Sequence, residues 1–169
     1  KTDVKVKIDN LSAFKDLANS LIDKYAVPTK ATETFKSEPE KAEKFLVPTA
    51  LEADGAKEAK VEATENGYKV TITLVSETVD YKTAPKYNTQ ASLPLTGIAE
   101  LAAQNNVTVK SSSFNYSGTV LTAEIDKDGN ILSLNHTMPL KLSAKVRYGL
   151  MNIEGSGSGK YTLDATFTY

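Results

Sequence analysis

The longest regular pattern in the chain runs from Leu132 to Leu150, LSLNHTMPLKLSAKVRYGL. Its even positions are Leu132, Leu134, His136, Met138, Leu140, Leu142, Ala144, Val146, Tyr148 and Leu150, apolar apart from His136, while the odd positions are polar, proline or glycine. A period of two belongs to a strand with one buried and one wet face. As one straight strand the stretch would span roughly 60 Å, several times the usual length, so it must bend or divide. Pro139 marks the place, because it has no N–H to give to a ladder. The phase survives Pro139, so the bend stays within one continuous face.

The remaining patterns supply partners for this strand. Val4, Val6 and Ile8 alternate with lysines and predict a short strand. Asn10 or Ser12 can cap a helix with an apolar stripe of Leu11, Phe14, Leu17, Ala18, Leu21, Ile22 and Tyr25, ended by Pro28. Ser37, Glu38, Pro39 and Glu40 form a capping box for a short second helix carrying Ala42, Phe45 and Leu46. Residues 53–60 read as a mobile loop or a further short helix. Asn66 and Gly67 predict a type I′ hairpin in which Ala63 faces Val70 and Val61 faces Ile72. Residues 76–90 read as a long connection with an edge strand at its start. Thr96 or Gly97 can begin a helix that ends near Asn105 and Asn106.

From Val107 the pattern is β throughout. Phe114 and Tyr116 change the phase of the strand begun by Val107 and Val109, and Ser117 with Gly118 offers a bulge that restores it at Thr119, Leu121, Ala123 and Ile125. A turn at Asp128 and Gly129 then pairs Ile125 with Leu132, Ala123 with Leu134, Leu121 with His136 and Thr119 with Met138. Gly155 to Gly159, GSGSG, reads as a flexible connection to a last strand of Tyr161, Leu163, Ala165, Phe167 and Tyr169. The expected fold is a single α+β domain over residues 1–169: a curved antiparallel sheet of about six strands with two or three helices packed on one face.

Composition narrows the chemistry. The chain has 169 residues, 40% hydrophobic and 24% charged, and its 20 basic against 21 acidic residues leave a net charge of -1. That balance offers no footprint for nucleic acid, and no apolar run is long enough for a transmembrane helix. The absence of cysteine removes thiol catalysis, disulfides and thiolate metal sites. Such a composition fits export from a bacterium, and a start at Lys1 rather than Met is compatible with a leader already removed. The expected location is therefore extracellular or in the cell envelope.

No catalytic or cofactor motif is found. Asp126, Asp128 and Asn130 begin like a calcium loop, but its glycine and glutamate positions hold Ile131 and Thr137, so a turn explains them and no metal site is assigned. Leu93 to Gly97, LPLTG, matches the five-residue signal cut by cell-wall sortases, yet it lies mid-chain and reads as the start of a helix. His136, the single histidine, has neither a nucleophile motif nor a phosphate loop to accompany it. The long apolar face exceeds what one helix can cover. Leu134, His136, Met138 and Tyr148 are accordingly the candidate ligand-binding residues, an apolar groove with one polar handle.

The strand Tyr116, Gly118, Val120, Ile125, followed by the Asp128–Gly129 turn into Ile131 and Leu134 and preceded by an amphipathic helix, resembles the exported lipoprotein-carrier type of bacterial domain. The resemblance implies a half-open barrel closed by helices that holds lipid or acyl chains, and it assigns no functional residue. The expected function is thus a non-catalytic exported or cell-surface domain binding an apolar small molecule or lipid. A protein-interaction or structural surface module, working through an exposed edge strand or the outer face, is the alternative, and a hydrolase with an unrecognised site stands third. No cofactor is expected.

Overall fold

The structure, a computed structural model, describes residues 3–8, 50–91 and 98–169. The helices expected over 11–25 and 37–47, and the LPLTG stretch, lie outside the described residues. What is described is an eight-stranded antiparallel sheet with two short α-helices. The molecule is therefore predominantly β, with more strands than the sequence pattern predicts. In chain order the elements are β1 (Asp3–Ile8), β2 (Ala56–Thr64), β3 (Gly67–Leu74), β4 (Glu77–Val79), α1 (Lys86–Ala91), α2 (Ile98–Gln104), β5 (Val107–Tyr116), β6 (Val120–Asp126), β7 (Ile131–Tyr148) and β8 (Met151–Thr166).

The sheet is built on β7. Along one edge β8 pairs with it from Ser133↔Thr166 to Tyr148↔Met151. The other edge is shared: β6 takes the first half, ending at Val120↔Thr137, and β5 takes the second, beginning at Tyr116↔Leu140. Pro139 falls between them, at a point where neither strand stands opposite. A residue without an N–H thus sits where the ladder on that side is already interrupted. The same interruption continues into the next line. β3 pairs β6 and β4 pairs β5, with Val75 and Ser76 between the two halves. The sheet therefore has a seam running across it through Ser76, Ser117, Gly118 and Pro139. Ser76 donates to Ser117 across the seam at 3.1 Å, and the amide of Leu74 donates to the carbonyl of Thr119 at 2.9 Å. Six strand lines in all carry the pattern, β2, β3 with β4, β6 with β5, β7, β8 and β1.

The core follows the seam. Leu74 and Thr119 are 1% exposed, His136 2%, Tyr116 3% and Met138 5%. Phe114, Tyr116 and Met138 form the buried cluster, with Val79, Tyr81, Leu140, Leu142 and Tyr161 packed around it.

Several local expectations need correction. Residues 56–60 are strand, not loop or helix, since they continue the alternation that pairs Ala59 with Ile72. The first hairpin pairs Val61 with Val70 and Ala63 with Tyr68, so its loop is Glu65–Asn66, and Asn66 has no positive φ. Gly67 is needed inside the strand instead: a Cβ there would lie 2.0 Å from the carbonyl oxygen of Ile125 on β6. The change of phase in β5 is a bulge between Val109 and Ser111, and Gly118, at φ +81°, separates two strands rather than bulging one. Ile125 pairs with Ile131 rather than Leu132, whereas Ala123↔Leu134 and Leu121↔His136 are as the alternation predicts. GSGSG is no flexible linker. It is the part of β8 held on both sides, by β7 and by β1, with Gly155, Gly157 and Gly159 opposite Ala144, Leu142 and Leu140. Two neighbouring ladders satisfy its backbone, which outweighs the weak strand propensity of glycine.

The two glycine positions separate close approach from backbone conformation. Gly67→Ala should cost about 2–4 kcal/mol, because a backbone carbonyl cannot yield to the new methyl. Gly129→Ala, at φ +90° with nothing within 4 Å, should cost only the left-handed penalty of about 1–2 kcal/mol. Urea denaturation of both variants checks the order.

Candidate functional site

Three of the four candidate residues are brought together and one is not. Leu134, His136 and Met138 follow one another on the same face of β7, opposite Ala165, Leu163 and Tyr161 of β8. Tyr148 lies ten residues beyond Met138, roughly 33 Å along the strand, where it pairs with Val107 and Met151 and is 38% exposed. It belongs to the far tip of the hairpin and cannot share a ligand with His136.

His136 is enclosed rather than displayed. Its ring meets Tyr161 edge-on at 5.6 Å between centroids, and its Nε2 is buried without a hydrogen-bond partner. Burial holds the imidazole pKa below its ordinary 6.5, so the ring is neutral at pH 7. Burial likewise raises the phenols of Tyr116 and Tyr161, with the carboxylate of Glu77 adding to the effect on Tyr116. All three groups are thus pushed towards their uncharged forms. Among the described residues no carboxylate hydrogen-bonds the imidazole to orient it for acid–base work. Tyr161 was legible only through the register of β8: reading GSGSG as strand puts it opposite Met138.

The apolar face of β7 continues across the neighbouring strands. Leu134 stands beside Ala123 of β6, Ala123 beside Val70 of β3, and Val70 beside Val61 of β2. A second row runs from His136 through Leu121 and Ile72 to Ala59, and Tyr68 pairs with Ile125 one step further on. Exposure increases along this face away from the seam. His136 is 2% exposed, whereas Tyr68 is 50% and Val61 64%. The face therefore begins as core and ends open to solvent.

At the seam the polar side is closed by α1. The carboxylate of Glu77 accepts the amides of Tyr87 and Asn88 at the start of that helix and the Asn88 side-chain amide at 2.7 Å. Thr119 in turn donates to Asn88 Oδ1 at 2.7 Å, with both residues 1% exposed. A negative charge at a helix start is favourable, and Asn88 and Thr119 are partnered, whereas Thr89 Oγ1 on the same helix is buried without a partner. This network is structural, and sequence inspection missed it because its members are distant along the chain. Tyr87 lies flat on Gly55, whose hypothetical Cβ would come within 2.5 Å of the ring, and its hydroxyl donates to Asp54 at 2.6 Å.

A groove of about 680 Å³ lies elsewhere, on the β5, β7 and β8 half, lined by Ser111, Ser113, Ser143, Lys145, Glu154 and Ser156 among others. Its lining mixes serine hydroxyls and the exposed Lys145–Glu154 ion pair with Ala144 and Ile153, and its place on β5, β7 and β8 keeps it apart from the apolar rows. Among the described residues no group of three or more histidines, cysteines or carboxylates is close enough to hold a metal. Asp126 spends its carboxylate inside its own turn, accepting the amides of Asp128 and Asn130 and the side chain of Asn130, and these bonds lower its pKa. No helix among the described residues is long and apolar enough to cross a membrane.

Comparison of the chain with protein-family models, with curated proteins and with solved structures finds no match.

Burial of His136 sets a pH dependence whose sign is fixed. The unfolded chain takes up the proton more readily than the folded one, so stability is full above about pH 6.5 and is lost as the pH falls below it. Replacing His136 with Leu removes both the unpartnered nitrogen and this slope. His136→Leu should match or exceed the parent at pH 7 by up to about 2 kcal/mol and unfold at nearly constant urea concentration between about pH 7.5 and 5.5. A slope retained by the variant would assign the dependence to other groups.

Proposed function

We propose that this is a non-catalytic binding domain whose ligand is an apolar small molecule or lipid seated on the open apolar face of β2, β3, β6 and β7. The reading is supported above all by the rows ending at Val61 and Tyr68, which are 64% and 50% exposed. A contiguous apolar sheet face open to water is costly to leave uncovered, and such surfaces mark binding sites. Leu134 forms the inner wall of the site and His136 lies buried behind it, while Met138 belongs to the closed Phe114–Tyr116 cluster beyond. Export to the cell envelope accords with a cysteine-free chain. A second reading, an interaction module, is favoured by one separate observation: among the described strands β2 lies at the edge of the sheet and is exposed on both faces.

Organic extraction of the purified protein, together with native mass spectrometry of the intact chain, tests the ligand directly. A stoichiometric apolar molecule is expected, and its occupancy should fall when Val61 and Tyr68 are both changed to Ser. A chain that carries no added mass and binds neither a long-chain fatty acid nor phospholipid on titration would overturn the proposal.

A further inference from the structure

The outer edge of β2 pairs with no strand among the described residues, since only β3 adjoins it. After Ala56 its residues are exposed on both faces, and its backbone groups on that side form a template for another strand. Lysines on an edge ordinarily discourage such pairing. Here Glu58, Lys60 and Glu62 alternate in sign two positions apart, and Lys60 bonds Glu62 at 2.8 Å on the same face.

That arrangement singles out one register. In an antiparallel pair related by a two-fold axis normal to the sheet, centring on Lys60 would set Lys60 against its own copy and Glu58 against Glu62. Centring on Glu62 would oppose two glutamates. Centring on Ala59 would set Glu58 against Lys60, but it would carry the pairing through the irregularity between Ala56 and Glu58 and set Lys57 against Val61. Centring on Val61 does none of these. It sets Lys60 against Glu62 of the second copy, twice by symmetry, and Ala59 against Ala63, with Val61 against itself on the axis. Directly opposed opposite charges and β-branched pairs favour a strand pair, whereas like charges oppose it.

We propose that β2 joins β2 of a second copy of this chain, edge to edge about a two-fold axis at Val61. The pair of charges on each strand closes into an alternating square of two lysines and two glutamates on the outer face. On the inner face the two apolar rows become one surface running through both copies. A single strand pair is a small interface, so the dimer is of the weak, exchanging kind. The inference stands on charge order and edge exposure and does not depend on what occupies the apolar face.

Because the chain has no cysteine, the axis can be tested with single substitutions of exposed positions in the full-length protein. Under mild oxidation Val61→Cys should form a disulfide-linked dimer rapidly, since directly opposed strand positions bring the two Cβ atoms within disulfide reach. Thr64→Cys, whose opposite number is Glu58, should do so at least about tenfold more slowly. Sedimentation equilibrium gives the second arm. Lys60→Glu should weaken self-association about tenfold, and Lys60→Glu combined with Glu62→Lys should restore it, because the swapped pair is again complementary. A parent chain that remains monomeric into the millimolar range, or equal cross-linking of the two cysteine variants, would overturn the proposal. So would a dimer indifferent to the charge reversal.

Discussion

Everything described here depends on the way the ladder beside β7 is divided. One long strand cannot be matched by a single partner on both edges, and the chain meets this with one continuous neighbour, β8, and one broken neighbour, β6 followed by β5. Pro139 and Gly118 stand at the break. One has no N–H for the missing bond, and the other takes the positive φ that the backbone needs to change direction. The break is copied into the next line between β3 and β4, so it crosses the sheet as a seam rather than remaining a local defect. Buried residues gather along it because it is where side chains from different strands converge.

The seam also explains why the two halves of the sheet differ. On the β5 side, β4 and its neighbours bring Val79 and Tyr81 onto the Phe114–Tyr116–Met138 cluster. On the β6 side the apolar rows run outward from His136 with progressively less over them. Glu77, Asn88 and Thr119 pin α1 to the boundary between these halves. Their hydrogen bonds are inside the protein, where an unmade bond would cost about 1–3 kcal/mol, so the network fixes position more than it adds net stability. Surface ion pairs such as Lys86–Glu52 add little to this.

Much of this arrangement can be read from the residues. The alternation from Leu132 to Leu150 and the Asp128–Gly129 turn gave the central hairpin and two of its pairs correctly, because apolar faces permit only one register. Local chemistry misled where a neighbour overrode it. Asn66–Gly67 carries the strongest hairpin signal, yet the carbonyl of Ile125 claims Gly67 for the strand and moves the loop back to Glu65–Asn66. GSGSG has the composition of a linker, but strands on both sides hold it as sheet, and no local pattern reports neighbours that far away. The same limit applies to the candidate site. The period of β7 identifies Leu134, His136 and Met138 as one face and includes Tyr148 equally, because periodicity states which side a residue is on and not how far along the strand its neighbours end.

The placement of β1 has a consequence for the order in which the fold is completed. Asp3 pairs with Lys160 and Ile8 with Gly155, so the first of the described strands is the partner of the last. During synthesis, Val4, Val6 and Ile8 must wait for about 150 further residues before their strand has the edge of β8 to join. Pairings of such large sequence separation are slow to form, and until then an unpaired β-branched strand is a site for chaperones or for misassembly. The glycines of β8 suit this late closure. A strand with no side chains at alternate positions presents β1 with little to be displaced, so the final pairing is largely a matter of backbone meeting backbone.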